Sequence, residues 1–218
     1  DKQVGRLLEK LKEIDELDNT LILFTSDNGP HYAKDGHELE FFDSNGKFKG
    51  GKRDLYEGGI RVPLIAYWNQ NIASGTVSDH ISSFQDIMPT FSEIIGFEKS
   101  NDPDGISFLP TLLSKEQKKH KFLNWEFQLS GWFQTIPDGG FRQSIRIENW
   151  KAVRYDLDSS IELYNLKDDS GETRDIAKLH PDIIERADYI FKNSRTDALG
   201  FPYGGVKQNH RSMDVFEY

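Results

Sequence analysis

Asn19-Thr20-Leu21-Ile22-Leu23-Phe24-Thr25-Ser26-Asp27-Asn28-Gly29-Pro30-His31 is the stretch on which the reading of the fold turns. Residues 21 to 25 form a short apolar run that Ser26-Asp27-Asn28-Gly29-Pro30 stops. A continuous run of this kind, bounded by turn residues, predicts a central strand of an α/β sheet covered on both faces. Ahead of it, Val4, Leu7, Leu8, Leu11 and Ile14 recur at helical spacing with charged residues between them. That periodicity predicts an amphipathic helix of about four turns. The sequence opens inside this helix with no capping residue before it, which points to a piece of a longer protein.

Downstream, residues 31 to 59 read as a long polar loop, and loops of that length in compact domains are functional or disordered. Val62 to Trp68 reads as a second buried strand with Pro63 near its start, where a missing N–H is tolerated. Phe84, Ile87, Met88, Phe91, Ile94 and Ile95 predict a helix, begun by a Ser83/Asp86 capping box and ended by Gly96. After about residue 113 the pattern changes to short strands at 122–127, 144–147, 150–155 and 161–164, with Glu148-Asn149 as a tight turn. Pro181 then starts a helix with Ile183, Ile184, Ala187, Ile190 and Phe191 on its apolar side. The expected organisation is α/β: residues 1–112 belong to a large α/β layer, and 113–218 form a small antiparallel sheet with one helix. Gly200, Pro202, Gly204 and Gly205 mark the end of the chain as an extended tail.

The formal charge of −9 over 218 residues argues against nucleic acid as the partner, since polyanion binders carry basic surfaces. A small anion needs only a local cluster of cations and stays open. With no cysteine there is no disulfide, thiolate metal site or cysteine nucleophile. No apolar run approaches the roughly 20 residues that span a bilayer, and no signal-peptide pattern opens the sequence.

Asp27 and Asn28 lie just past the C-terminal end of the predicted central strand, where open α/β sheets place ligands. A carboxylate beside an amide oxygen suits Ca²⁺ or Mg²⁺; the same residues also make an ordinary turn. Lys52 follows Gly50-Gly51 and could reach an anion as a compact point charge, or be a solvated surface lysine. Gly46 to Lys52 fits the start of a phosphate-binding P-loop. Arg53 stands where Ser or Thr is required, and no apolar strand leads in, so that reading is rejected. His31 directly follows the Asp-Asn-Gly-Pro turn, and His37 comes six residues later; either could bind an anionic substrate or donate a proton. His80 reads as a neighbour of the Ser83 helix start, and His120, His180 and His210 carry no signal. Trp125-Glu126-Phe127, Arg142, Arg146, Trp150 and Arg154 interleave aromatics with cations. They could line a carbohydrate-binding face, or be one buried and one solvated side of a sheet.

Taken in order, these blocks resemble the type I sulfatases of the alkaline-phosphatase superfamily. Asn19 to His31 is similar to their strand and metal turn. Gly51-Lys52-Arg53-Asp54-Leu55-Tyr56-Glu57-Gly58-Gly59-Ile60-Arg61-Val62-Pro63 is similar to the block that follows. Phe84 to Thr90 and Asp104 to Phe108 resemble the next helix and turn. Asn149 to Arg154, Glu162 to Leu166 and Gly171-Glu172-Thr173 resemble the small C-terminal domain. The likeness runs over residues 1 to about 195, and the tail beyond is unplaced.

The resemblance implies an alkaline-phosphatase-like α/β sandwich followed by a small antiparallel sheet with a helix. It implies Asp27 and Asn28 as metal ligands, for Ca²⁺ with Mg²⁺ as the alternative, Lys52 as a contact of the sulfate ester, and His31 facing the substrate. It implies hydrolysis of sulfate monoesters on a small molecule or a carbohydrate, and a periplasmic or extracellular setting. The family's nucleophile is a formylglycine made within a Cys/Ser-x-Pro/Ala-x-Arg motif, which this sequence lacks, as it lacks the first Asp-Asp ligand pair. The resemblance therefore implies that the chain corresponds to a C-terminal part, that its partner is the missing N-terminal half, and that alone it is inactive. Two alternatives stand beside this: a phosphodiesterase or phosphonate hydrolase of the same superfamily, and a non-catalytic fragment that binds sulfated glycans.

Overall fold

The computed structural model describes residues 1–31, 39–97, 104–128, 140–198 and 202–205. These pack as two compact units. One comprises residues 1–27 and 62–121, the other 28–61 and 122 onward. The units do not follow the expected division at 112/113, because the glycine-rich segment 49–61 packs on the sheet of the second unit.

In the first unit, α1 (Lys2–Glu13) leads to β1 (Ile22–Thr25). α2 (Leu39–Phe42) and α3 (Glu57–Ile60), both of the second unit, come next in the chain. The first unit resumes with β2 (Leu64–Tyr67), α4 (Ile87–Ile94) and α5 (Leu109–Leu112). β1 and β2 pair antiparallel, with Ile22 opposite Tyr67 and Thr25 opposite Leu64. The expectation of strands covered on both faces is corrected here. Phe24 is 49% exposed and Ile65 61% exposed, because among the described residues the two strands form a two-stranded ribbon. The predicted helix at 84–95 is a 3₁₀ turn at Phe84–Asp86 that runs into α4, with the Ser83/Asp86 capping box in place. Gly96, at φ +67°, closes it.

Asp86 and Thr90 are the fully buried polar side chains among the described residues of this unit. The Asp86 carboxylate accepts the amides of Ser83 and Ile106, both at 2.8 Å, and lies 2.8 Å from His120 Nε2. Thr90 extends the same anchor by accepting the Phe108 amide at 3.0 Å. His120, which carried no signal in sequence, is thus a structural partner. His80 is half-buried, and burial holds its imidazole below the ordinary range.

The second unit is built on a four-stranded antiparallel meander, β3 (Leu123–Gln128), β4 (Phe141–Ile147), β5 (Trp150–Tyr155) and β6 (Glu162–Asn165), in sequence order. Glu148 and Asn149 make the β4–β5 turn, with Glu148 at φ +52°. α6 (Pro181–Asn193) starts at its proline as expected. Alternation along the strands sends Ile145, Ile147, Ala152 and Leu163 to one face, where Ala187, Ile190 and Phe191 of α6 cover them. The register puts Arg142 opposite Tyr155, Ser144 opposite Val153 and Arg146 opposite Lys151, all on the other face. There Tyr56 packs on Val153, Tyr155 and Tyr164. The stretch expected as an extended tail includes, at 202–205, a turn on the α6 side: Tyr203 OH accepts Arg154 Nη2 at 2.5 Å and its ring meets Phe141 edge-on. Gly200 lies outside the described residues.

Candidate active site

The segment carrying Asn28, Pro30 and His31 and the segment carrying Lys52 are joined by backbone. Gly29 N–H donates to Gly59 O at 2.9 Å, and Lys52 N–H donates to Pro30 O at 2.7 Å. Gly58 N–H donates to Lys49 O at 2.8 Å. The contacts are so close that no side chain fits between them. A Cβ on Gly29 would stand 1.9 Å from Gly58 O, one on Gly58 2.3 Å from Gly50 O, and one on Gly59 2.1 Å from Asp54 O. This is the local reason for the glycines around Lys52: three stretches of main chain stack directly on one another. Gly50 at φ +81° and Arg53 at φ +82° turn the chain around Lys52, and Asp54 Oδ2 accepts the Gly51 amide at 3.0 Å to close the turn.

Of the residues singled out in sequence, Asp27 and His31 are exposed, while Asn28 and Lys52 are half-buried. The structure brings the Asn28–His31 turn and Lys52 together through main chain, and Asp27 is bonded covalently to Asn28. His37 and His210 lie outside the described residues. His180 lies against Trp150, with ring centroids 4.6 Å apart, on the α6 side of the sheet.

Sequence reasoning missed the residues that hold the Lys52 segment on the sheet. Glu57 Oε1 pairs with Lys151 Nζ at 3.1 Å and Oε2 with Arg146 Nη1 at 3.1 Å. The Glu57 amide donates to Glu172 Oε2 at 2.7 Å. Asp54 Oδ1 accepts Arg142 Nη1 at 3.0 Å and Tyr155 OH at 3.2 Å, and Arg142 Nη1 also reaches Arg53 O at 2.8 Å. Tyr56 OH and Tyr164 OH both donate to Glu162 Oε2, at 2.6 and 2.5 Å, with Lys49 Nζ 3.8 Å from the Tyr56 ring centroid. The only sequence signal for these groups was their alternation on the strands, which fixes a face and not a partner.

Burial drives the Glu57 carboxyl up, but the charges of Lys151 and Arg146 and the Lys151 hydrogen bond outweigh it and hold the group below the ordinary carboxylate range. Glu172 is pushed up to about 7, by burial first and also by the Glu57 charge, against the pull of Lys151 and of the Glu57 amide. Burial and the Glu162 hydrogen bond raise the Tyr56 hydroxyl far above its ordinary value, so it stays a donor.

The carbohydrate-face reading of the interleaved aromatics and cations does not survive. Arg142 and Arg146 are bound to Asp54 and Glu57 on one face, while Arg154, bonded to Gln143 at 2.7 Å and to Tyr203, belongs to the other. Both faces are covered, so neither half of the expected buried/solvated pair is free.

Residues 1–97 match the family model described as Sulfatase. That part of the chain is thus similar to the sulfatase family. The chain is 37% identical over 115 residues to human N-acetylgalactosamine-6-sulfatase, an alignment covering 52% of this chain and 22% of that protein. It is 26% identical over 210 residues to the N-acetylgalactosamine-6-O-sulfatase of Bacteroides thetaiotaomicron, covering 90% of this chain and 40% of the relative. The chain thus spans between a fifth and two fifths of the length of these relatives. The fold is similar to the crystal structure of Ps i-CgsB in complex with k-i-k-neocarrahexaose, with a TM-score of 0.73 and 26% identity over 88% of this chain and 40% of that one. It is also similar to a phosphonate monoester hydrolase from Silicibacter pomeroyi, with a TM-score of 0.67 and 24% identity over 89% of this chain and 38% of that one; that likeness concerns the fold alone. The chain therefore has the alkaline-phosphatase-like α/β fold, with mixed helices and antiparallel sheets.

Proposed function

We propose that this chain is part of a sulfatase that hydrolyses sulfate monoesters on a sulfated carbohydrate, and that it supplies the sulfate-contacting lysine and two of the metal's ligands. The observation that carries the reading is the Lys52 N–H to Pro30 O hydrogen bond of 2.7 Å, which fixes the lysine segment beside the Asn28–His31 turn. Lys52 sets a compact positive charge against the sulfate oxygens, where negative charge builds as the S–O bond to the leaving alcohol breaks. His31, exposed one residue past Pro30, faces the substrate and can donate a proton to that alcohol.

Asp27 and Asn28 offer hard oxygen donors on consecutive residues after β1, a donor set that fits Ca²⁺, or Mg²⁺, and not a soft metal. Among the described residues no group of three or more His, Cys, Asp or Glu converges. Two oxygens fill only part of the six to eight positions Ca²⁺ takes, so the remaining donors and the formylglycine are assigned to the part of the sulfatase fold this chain does not span. When bound, the metal supplies Lewis-acid stabilisation of the sulfate oxygens.

The test compares turnover of an aryl sulfate and of a phosphodiester by the full-length protein, with Lys52→Ala as control. Sulfate turnover that falls at least about 100-fold in Lys52→Ala supports the reading. Preference for the phosphodiester would move the enzyme to a phosphorus centre. Sulfated-glycan binding with no turnover of either ester would make it a binding protein.

A further inference from the structure

We infer that Glu57 is the positioning residue for Lys52, holding the lysine's segment in register on the sheet through Lys151 of β5 and Arg146 of β4; this rests on the sulfate-contacting role proposed for Lys52.

Three observations point to it. Glu57 is tied at three places: each carboxylate oxygen meets a cation on a different strand, and its amide is taken by Glu172. It is also the deepest of the anchors. Its side chain is 4% exposed and Lys151 is fully buried, whereas Asp54 and Lys49 are 20% and 38% exposed. Finally, the connection from Glu57 to Lys52 is main chain against main chain. Gly58 N–H bonds Lys49 O, and Gly58 and Gly59 lie so close to the carbonyls of residues 49, 50, 51 and 54 that no side chain stands between to absorb a shift. A displacement at Glu57 is therefore passed on to Lys52.

Stability does not explain the arrangement by itself. Replacing a buried ion pair by apolar groups of similar volume is often neutral or stabilising. What the pair supplies is directionality: two cations at fixed strand positions leave the carboxylate one place to sit. An apolar contact would allow the loop to slide.

The experiment uses the full-length protein with Lys52→Ala, Glu57→Gln, Lys151→Met, Glu57→Gln/Lys151→Met, and Lys52→Ala combined with the last pair. The double variant Glu57→Gln/Lys151→Met removes the fully buried cation together with its carboxylate, and leaves Arg146, whose side chain is 15% exposed, without that partner. It is expected to lower kcat/KM on an aryl sulfate by about 10- to 100-fold, as a misplacement of about 1 Å does. Adding it to Lys52→Ala is expected to lower kcat/KM no further, since without the lysine its position is irrelevant. A general structural defect would instead multiply with Lys52→Ala. Independently of turnover, amide hydrogen exchange over residues 49–59 should speed up by about tenfold in the double variant while amides of β4 and β5 keep their protection. Unchanged kcat/KM, multiplicative loss, or unchanged exchange over 49–59 would each overturn the inference. If the wild-type protein turns over no sulfate ester, the sulfatase reading falls, and the exchange comparison alone decides whether Glu57 holds the segment.

Discussion

β4 buries six of its seven residues, whereas three of the four residues of β2 are exposed. β2 is the more apolar of the two, so the difference lies in what covers them and not in their composition. The meander has α6 on one face and the 49–61 segment on the other. The β1–β2 ribbon has two strands and leaves Leu64, Ile65 and Tyr67 bare. The small antiparallel sheet is therefore better packed than the β1–β2 ribbon. β1, the strand on which the fold reading turned, lies between β4 and β2 in burial, with Phe24 exposed and its other residues half-buried.

The contrast can be broken or sharpened by substitution, and the largest effect is expected at the buried charges. Glu57→Ala leaves Lys151 buried without its partner and should destabilise the second unit by about 3–5 kcal/mol, read as a lowered urea midpoint. Leu163→Ala, in the fully buried layer under α6, should cost about 2–5 kcal/mol in the same unit. A loss below 1 kcal/mol at either position would mean that the sheet is not the stable part.

Glu172 gives a pH signature. Its carboxyl, raised from an ordinary 4.5 to about 7, keeps its proton in the folded state between those values while the unfolded chain has lost it. Stability of the second unit should therefore fall as pH rises from about 4.5 to 7, by roughly 3 kcal/mol if this group acted alone. Glu57, held below its ordinary range, works in the opposite sense: its contribution is present above that range and is lost on acidification. Glu172→Gln should flatten the upper window in thermal melts and leave the acid limb in place.

In the first unit the expected effects are smaller and confined. Asp86→Ala strips the amides of Ser83 and Ile106 and the His120 ring of their acceptor, at about 1–3 kcal/mol, seen as local loss of exchange protection around 83–108. Ile65→Ala, at an exposed position of β2, should stay within about 0.5 kcal/mol in this chain. A larger loss would show that Ile65 is covered in solution.

Much of the secondary structure was legible because it rests on local chemistry. Helical spacing from Val4 to Ile14, the Ser83/Asp86 capping box, Gly96 and the Pro181 helix start each act within one or two turns of chain. The candidate site was legible only as residue types in order. Asp27, Asn28, His31 and Lys52 stand out because turn residues and glycines surround them. Nothing local says that Lys52 N–H meets Pro30 O, across 22 residues, or that Glu57 meets Lys151, 94 positions away. Alternation could put Arg142, Arg146 and Lys151 on one face of the meander, yet charge alone left that face looking like one for a ligand or for solvent.

The sequence by itself determined most of the elements, though not the start of β4 at Phe141 or the short helices α2 and α3, together with the α/β class and which residues could serve a metal and an anion. These follow from backbone propensity, capping and side-chain chemistry, all of which act over a few residues. Only the tertiary structure decided that the glycines of 49–61 serve main-chain stacking and that the meander's cations are spent on Asp54 and Glu57. It alone decided that the lysine segment belongs to the sheet of the second unit. The reason is physical: a buried charge must find its counter-charge wherever the chain brings one, and that partner is set by packing across the whole unit and not by its neighbours in sequence.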